Sequence, residues 1–439
     1  MLAACGSLLA ACGPLSAARP AMADEAPAAP ESLTVGDAVR AVLATHPGVA
    51  EALHGVDASR ARVAVARADA LPTGDADFTY ARVEPVPAFD FGGENLALAP
   101  EDNWDEHVSL RETVYDFGRT DAAVRAGEAA VRSASDNVDL VRTQLAFATI
   151  QSFYTILFLR QSIDVQQHEI DALNGHLDLA RKRVASGSAT DYDIITTQVR
   201  VAAAENRRVD LQDRESREEA AMRRLLGYPP GTPLRLSGDF TTASAGTNAD
   251  SLAALAMEQR TELRQALDAE QTARLDKAVV SLRDRPSLGV SAQYGIKNGY
   301  IPNLEAIHGN WVLGIAATVP IWNGHRTENE EAEAEARVEA AASRTAAVRR
   351  TVEAEVEQAI ADVRANAEEQ GRSQLQIDQA ELALSMARVR YENGVITTLD
   401  LLDAETSLEQ AELSRLQTLY RGVLNRYALA RAVGGPLAP

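Results

Sequence analysis

Arg390-Tyr391-Glu392-Asn393-Gly394-Val395-Ile396-Thr397-Thr398-Leu399-Asp400-Leu401-Leu402-Asp403 repeats the pattern of Arg183-Val184-Ala185-Ser186-Gly187-Ser188-Ala189-Thr190-Asp191-Tyr192-Asp193, which lies 207 residues earlier. Each copy places a glycine, then a threonine three residues on, then an aspartate three residues after that. A glycine just past a helix end accepts the left-handed backbone of a C-terminal cap. A threonine followed at the third position by an acid makes a capping box for the next helix. Both segments therefore read as tight turns between two helices.

The similarity extends outward from the turns. Residues 180–227 align on 387–434 without a gap, with 13 identities in 48 positions, among them Arg181 with Arg388, Thr190 with Thr397 and Gly227 with Gly434. A slide of 214 aligns residues 38–80 with 252–294, pairing Leu53 with Leu267, Pro72 with Pro286 and Tyr80 with Tyr294. The chain is thus a duplicated unit, 33–228 and 250–435, with a linker at 229–249.

Each unit reads as a short helix, two strands, a long helix and a return helix. Thr34-Val35-Gly36-Asp37 is a capping box that opens a helix running to Pro72, and its counterpart runs from about Ser251 to Pro286. Between Pro72 and Gly118, and between Pro286 and Gly324, the period changes from helical to alternating, which places strands within 73–117 and 286–322. Leu288, Val290, Ala292, Tyr294 and Ile296 alternate with small or polar residues, as do Trp311, Leu313, Ile315, Ala317, Val319 and Ile321. In the first pair Glu112 interrupts the apolar face of Val108, Leu110 and Val114.

No proline interrupts 101–228 or 321–435. There, apolar residues recur every seventh position: Val124, Val131, Val138 and Leu145; Ile170, Leu177 and Val184; Leu375, Leu382 and Val389; Leu413, Tyr420 and Tyr427. This is coiled-coil packing with shifts of register. A continuous helix from Gly118 to Ser186 would be about 100 Å long, a length no globular core requires.

Composition excludes several functions. A net charge of −20 opposes binding to nucleic acid, which needs clustered Lys and Arg. The seven histidines are scattered, and no H-E-x-x-H motif, phosphate-binding glycine loop or nucleophile elbow occurs, so neither enzyme chemistry, a cofactor nor a metal is expected. His168 and His176, eight residues apart on one helix, read as surface or packing residues.

Cys5 and Cys12 fall in an apolar leader that ends at Ala21-Met22-Ala23, a signal-peptide pattern over 1–23 followed by a linker at 24–32. Leu9-Ala10-Ala11-Cys12 also fits a lipoprotein box. No Lys or Arg follows Met1 within the leader's first residues, so the natural start is expected upstream. Past the leader, no run of eighteen apolar residues exists. A membrane crossing would therefore take the form of a closed barrel. Four strands per chain cannot close one, whereas three chains supply twelve and leave a lumen.

The joints Tyr115-Asp116-Phe117-Gly118-Arg119 and Pro320-Ile321-Trp322-Asn323-Gly324 resemble those of TolC-like outer-membrane factors. So does Arg390-Tyr391-Glu392-Asn393-Gly394 followed by Thr397-Thr398-Leu399-Asp400-Leu401-Leu402-Asp403-Ala404. The resemblance covers roughly 33–435. It implies a mainly α fold with a small β part, a homotrimer with a twelve-stranded barrel in outer-membrane lipid, and a long periplasmic helical tunnel. It implies a passive channel of a tripartite efflux pump or type I secretion system, opened by a periplasmic adaptor and an inner-membrane transporter.

It also assigns Asp400 and Asp403 to a cation-selective constriction, and Tyr391 and Asp193 to the network that latches the closed state. Adaptor contact is expected at Ser186, Gly187, Ser188, Ala189 and Thr190, and at Asn393, Gly394, Val395, Ile396 and Thr397. Some relatives carry an arginine where this chain has Ile396, so no arginine latch stands at that position. The competing reading is a soluble periplasmic coiled-coil scaffold or adaptor, which would not need two proline-bounded strand pairs at equivalent places.

Overall fold

Thr34 caps the first helix as its spacing requires: Asp37 N–H donates to Thr34 Oγ1 at 3.3 Å, and Thr34 N–H donates to Asp37 Oδ2 at 3.3 Å. The computed structural model describes residues 32–92, 94–241 and 248–437. The expected leader, the alternative lipid site at Cys12 and most of the 24–32 linker lie outside the described residues.

The first repeat comprises α1 (Val35–Thr45), α2 (Pro47–Ala68), β1 (Thr73–Arg82), β2 (Ala88–Phe91), β3 (Glu94–Ala97), β4 (Asp102–Tyr115), α3 (Arg119–Ala185) and α4 (Asp191–Leu226). The second comprises α5 (Ala249–Gln259), α6 (Thr261–Ser281), β5 (Ser287–Lys297), β6 (His308–Thr318), α7 (Arg326–Glu392) and α8 (Thr398–Val433). Both long helices, α3 and α7, contain 67 residues, and both return helices contain 36.

The opening helix of each repeat is two helices rather than the single one expected. In the first, Pro47 has no N–H to donate and disfavours helical backbone at His46, which sits at φ −69°, ψ 126°. Arg260 adopts nearly the same conformation, φ −66°, ψ 119°, with no proline beside it. Its buried guanidinium instead donates to the Ala432 carbonyl at 3.0 Å and pairs with Glu262 and Glu355. Both helices also stop short of the prolines, at Ala68 and Ser281.

Four strands form one antiparallel sheet in the order β1-β4-β5-β6, so the β4–β5 ladder joins the two repeats. β1 and β6 are open edges. An additional hairpin, β2–β3, lies in the β1–β4 connection, where the alternating pattern indicated only two strands. β6 ends at Thr318, ahead of Pro320, so Val319 and Ile321 lie beyond it.

The main core sits at mid-height, where Val39 and Val42 of α1, Ile150, Phe153 and Ile156 of α3, and Met222 and Leu226 of α4 are fully buried. Burying side chains of this size is worth about 1.5–3 kcal/mol each. Leu234 and Phe240 of the connecting segment close it, and Leu33 bridges to Leu236. Nearer the sheet, α2 and α3 pack through small residues. Ala122, Ala126 and Ala129 are buried, and a Cβ on Gly127 would come within 2.9 Å of Val63 Cγ2. Val124, an expected heptad position, is only half-buried because the alanine face makes the contact. Leu375, Leu382 and Val389 keep their heptad spacing but are 56%, 61% and 57% exposed, an apolar face without a partner in a single chain.

Candidate functional site

The sheet has two chemically distinct faces. Register places Phe78 opposite Glu106, Tyr80 opposite Trp104, Val108 opposite Tyr294, and Tyr294 opposite Trp311. Leu110, Val290, Leu313 and Ile315 continue this apolar face, and Trp311, Leu313 and Ile315 are 74%, 71% and 75% exposed. The alternate residues are Asp75 and Asp77 of β1, Asp105, His107, Ser109 and Arg111 of β4, Ser291 and Gln293 of β5, and Asn310 of β6. Arg111 pairs with Asp75 at 3.2 Å, and His107 lies 3.4 Å from Asp77 and 3.2 Å from Asp105.

Aromatic residues border the apolar face at both ends. Tyr80 and Trp104 lie tilted against each other, ring centroids 4.7 Å apart, at one end, while Tyr115, Phe117 and the 82%-exposed Trp322 stand at the other. Trp104 and Tyr115 are eleven positions apart on one strand. At about 3.3 Å per residue and about 45° of tilt, that separation spans about 25 Å, the height of an outer-membrane barrel's apolar band. Among the described residues, no helix is long and apolar enough to cross a membrane.

At the opposite end each hairpin is built by its caps. Gly187 and Gly394 take the left-handed conformation, φ 74° and 71°, that ends α3 and α7. The Asp193 carboxylate accepts from the Thr190 backbone at 3.0 Å and from its hydroxyl at 2.9 Å. Asp400 accepts from Thr397 in the same way, at 2.9 and 2.7 Å. The Thr190 N–H holds Asp193 below the usual carboxylate range, and the Thr397 hydroxyl does so for Asp400.

The structure brings some of the expected residues together and separates others. Tyr391 is 4% exposed, and its hydroxyl lies 3.3 Å from Thr398 Oγ1. Thr398 also helps hold the Asp193 carboxyl below its usual range, which brings this one side chain to both hairpins. Asp403 pairs with Arg200 of α4 at 2.7 Å, while Asp400 is exposed and engaged only in its own cap. Ser186, Gly187, Ser188, Asn393, Gly394 and Val395 lie exposed at the turns, and Thr190 and Thr397 are exposed as well. Ile396 packs with Leu384, Tyr391 and Leu401 in the tip core, as an aliphatic side chain should.

Two arginines to which the sequence reading assigned no role hold the hairpins together. Arg183 lies over the Tyr391 ring at 4.1 Å and donates to its carbonyl oxygen at 3.1 Å. Arg200 also donates to Thr406 Oγ1 at 3.0 Å. Arg183 was visible only as a repeat-equivalent of Arg390, and nothing local marks Arg200. His176 is partly buried, with its Nε2 in contact with Glu405 Oε1 of α8. No cluster of metal-ligating side chains occurs among the described residues.

Comparison with known proteins agrees with this geometry. The sequence profile of the family described as Outer membrane efflux protein matches residues 38–228 and 252–435. Nodulation protein T of Rhizobium leguminosarum bv. viciae is 22% identical over 412 residues, covering 92% of this chain and 83% of its own length. The Campylobacter jejuni CmeC outer membrane channel superposes with a TM-score of 0.81 at 14% identity, over 91% of this chain and 85% of its own. The outer membrane protein VceC of Vibrio cholerae gives 0.79 at 19% identity, over 92% and 96%. The chain, with its duplicated helical hairpins and two-faced sheet, therefore belongs to the outer membrane efflux protein family.

Proposed function

We propose that three copies of the chain form an outer-membrane channel, the exit duct of a tripartite efflux pump or secretion system. The carrying observation is the open sheet: both edges are unpaired, and one face, broken by Glu106 and Glu112 of β4, is otherwise apolar between two aromatic borders. An unpaired edge cannot stand in lipid, and twelve strands from three chains enclose a lumen, where eight would be filled by side chains. Closure turns Trp311, Leu313 and Ile315 toward lipid and His107, Arg111 and the β1 aspartates toward water. The exposed face of Leu375, Leu382 and Val389 supports the same assembly, because neighbouring chains would cover it.

The helical hairpins then form the wall of a periplasmic tube that narrows at their turns. Asp400 and Asp403, three residues apart on one helix face, would present two rings of negative charge at the constriction and favour cations. Tyr391, Thr398 and Asp193 latch the second hairpin to the first, with Arg183 and Arg200 reinforcing the closed state. Opening shifts α7 and α8 against α3 and α4, driven by an adaptor that binds the turns at 186–190 and 393–397 and by an inner-membrane transporter. Reconstitution in planar bilayers tests this reading. A cation-preferring conductance that falls in selectivity in D400A/D403A supports it, and unchanged selectivity removes these residues from the pore.

A further inference from the structure

The two repeats meet along α3 and α8, and the part of that seam nearest the tip is acidic. α8 carries Glu405, Glu409 and Glu412 at successive turns of one face, and Glu405 and Glu409 are only 5% and 7% exposed. His176 of α3 sets its Nε2 against Glu405 Oε1, and Arg388 of α7 lies 3.6 Å from the same oxygen. Glu405 Oε2 has no hydrogen-bond partner, so this buried carboxylate depends on its neighbours for compensation.

One turn along, Glu409 faces Glu169 of α3 and Arg207 of α4. Arg207 is already held by Glu169, with two bonds at 2.8 and 2.7 Å. Beyond it, Glu412 faces His168 of α3 and Glu381 of α7. Arg200, the other cation from α4, is committed to Asp403 and Thr406. The seam thus holds more buried acid than nearby fixed positive charge.

We propose that the His176–Glu405 contact is a proton-operated clasp between the two repeats, holding the tip shut more firmly when the imidazole is charged. This rests on the channel reading given above. Histidine is the side chain whose charge changes between about pH 5 and 8. A charged ring at this contact compensates the buried Glu405 carboxylate, whose second oxygen is unpartnered, and a neutral ring does not.

The neighbouring glutamates act in the same direction. Burial, then the charge of Glu169, pushes the Glu409 carboxyl above its usual range, and burial does the same for Glu412. A carboxyl raised in the packed state contributes its full stabilisation below the ordinary carboxylate range and loses it as pH rises through the raised value. Acid therefore fastens the seam from both sources, and rising pH loosens it.

The test uses the full-length protein reconstituted in planar bilayers between pH 5.5 and 8. Wild-type conductance should rise several-fold across that range. H176Q keeps a side-chain hydrogen-bond donor without the charge, and E405Q removes the acid; both should make the profile shallower than in wild type. R200A should raise conductance at every pH while keeping the slope. Hydrogen exchange of residues 398–412 reads the seam without conductance. Protection should fall with pH, beyond the intrinsic rate, more steeply in wild type than in H176Q, which keeps only the contribution of Glu409 and Glu412. A silent bilayer would overturn the channel reading, whereas H176Q that loses protection as steeply as wild type overturns the clasp.

Discussion

Removing the Arg200 side chain should make the closed tip leak. Its guanidinium donates to Asp403 at 2.7 Å and to Thr406 at 3.0 Å, and it is the ion pair that joins α4 to α8 across the two hairpins. The arginine is 28% exposed and the aspartate 62%, so water screens the pair and each copy is worth about 0.5–1 kcal/mol. If three copies release together, the closed state loses about 1.5–3 kcal/mol, which is about a ten- to hundredfold shift toward the open state. Single-channel recording of R200A reads this as longer or more frequent openings without an adaptor. Arg183 should contribute similarly through the Tyr391 ring, so R183A/R200A should exceed either single variant. Recordings in which R200A opens no more often than wild type would refute the assignment of this pair to the latch.

Further outcomes follow from other parts of the molecule. Leu313 stands mid-strand on the apolar face of β6, and L313R should cost about 2–4 kcal/mol per copy in lipid, seen as lost trimer on gels of unheated outer membranes. A Cβ at Gly295 would fall 2.2 Å from the Glu106 carbonyl oxygen, so G295A should force β4 from β5 and abolish assembly where G309A, with open space around it, does not. T397A removes the α8 N-cap and should destabilise the tip by about 1 kcal/mol, read as faster exchange of the first turn of α8. Asp193 and Asp400 are both held below the usual carboxylate range, so their caps contribute above that range and are lost as pH falls through the lowered values. Exchange at the turns should therefore stay slow through mild acid and quicken only in strong acid.

The duplication and the hairpin turns were legible in the sequence because they depend on local chemistry. A left-handed position after a long helix selects Gly187 and Gly394, and an N-cap three residues on selects Thr190 and Thr397. The break at His46 is marked by Pro47, but the flanking residues keep a helical pattern that masks it. Its equivalent at Arg260 carries no local mark, since burial of the guanidinium against Ala432, Glu262 and Glu355 enforces it across the fold.

The heptad reading found the long helices but favoured large side chains, whereas α2 and α3 approach through Ala122, Ala126, Gly127 and Ala129. At the tip, the hairpin motif marks Tyr391, Asp193 and Asp403 in the sequence, and nothing there marks the residues they touch. Arg183 with Tyr391, Arg200 with Asp403, and His176 with Glu405 are separated by more than 200 residues. Only the stacking of one repeat on the other makes them neighbours.

The most direct test is the mass of the purified protein in detergent, measured by light scattering or native mass spectrometry. On the proposed reading, three chains complete the sheet with two open edges and cover the exposed heptad face, so each micelle-bound particle should contain three. A stable single chain that remains dispersed after the detergent is withdrawn would contradict the account at its root.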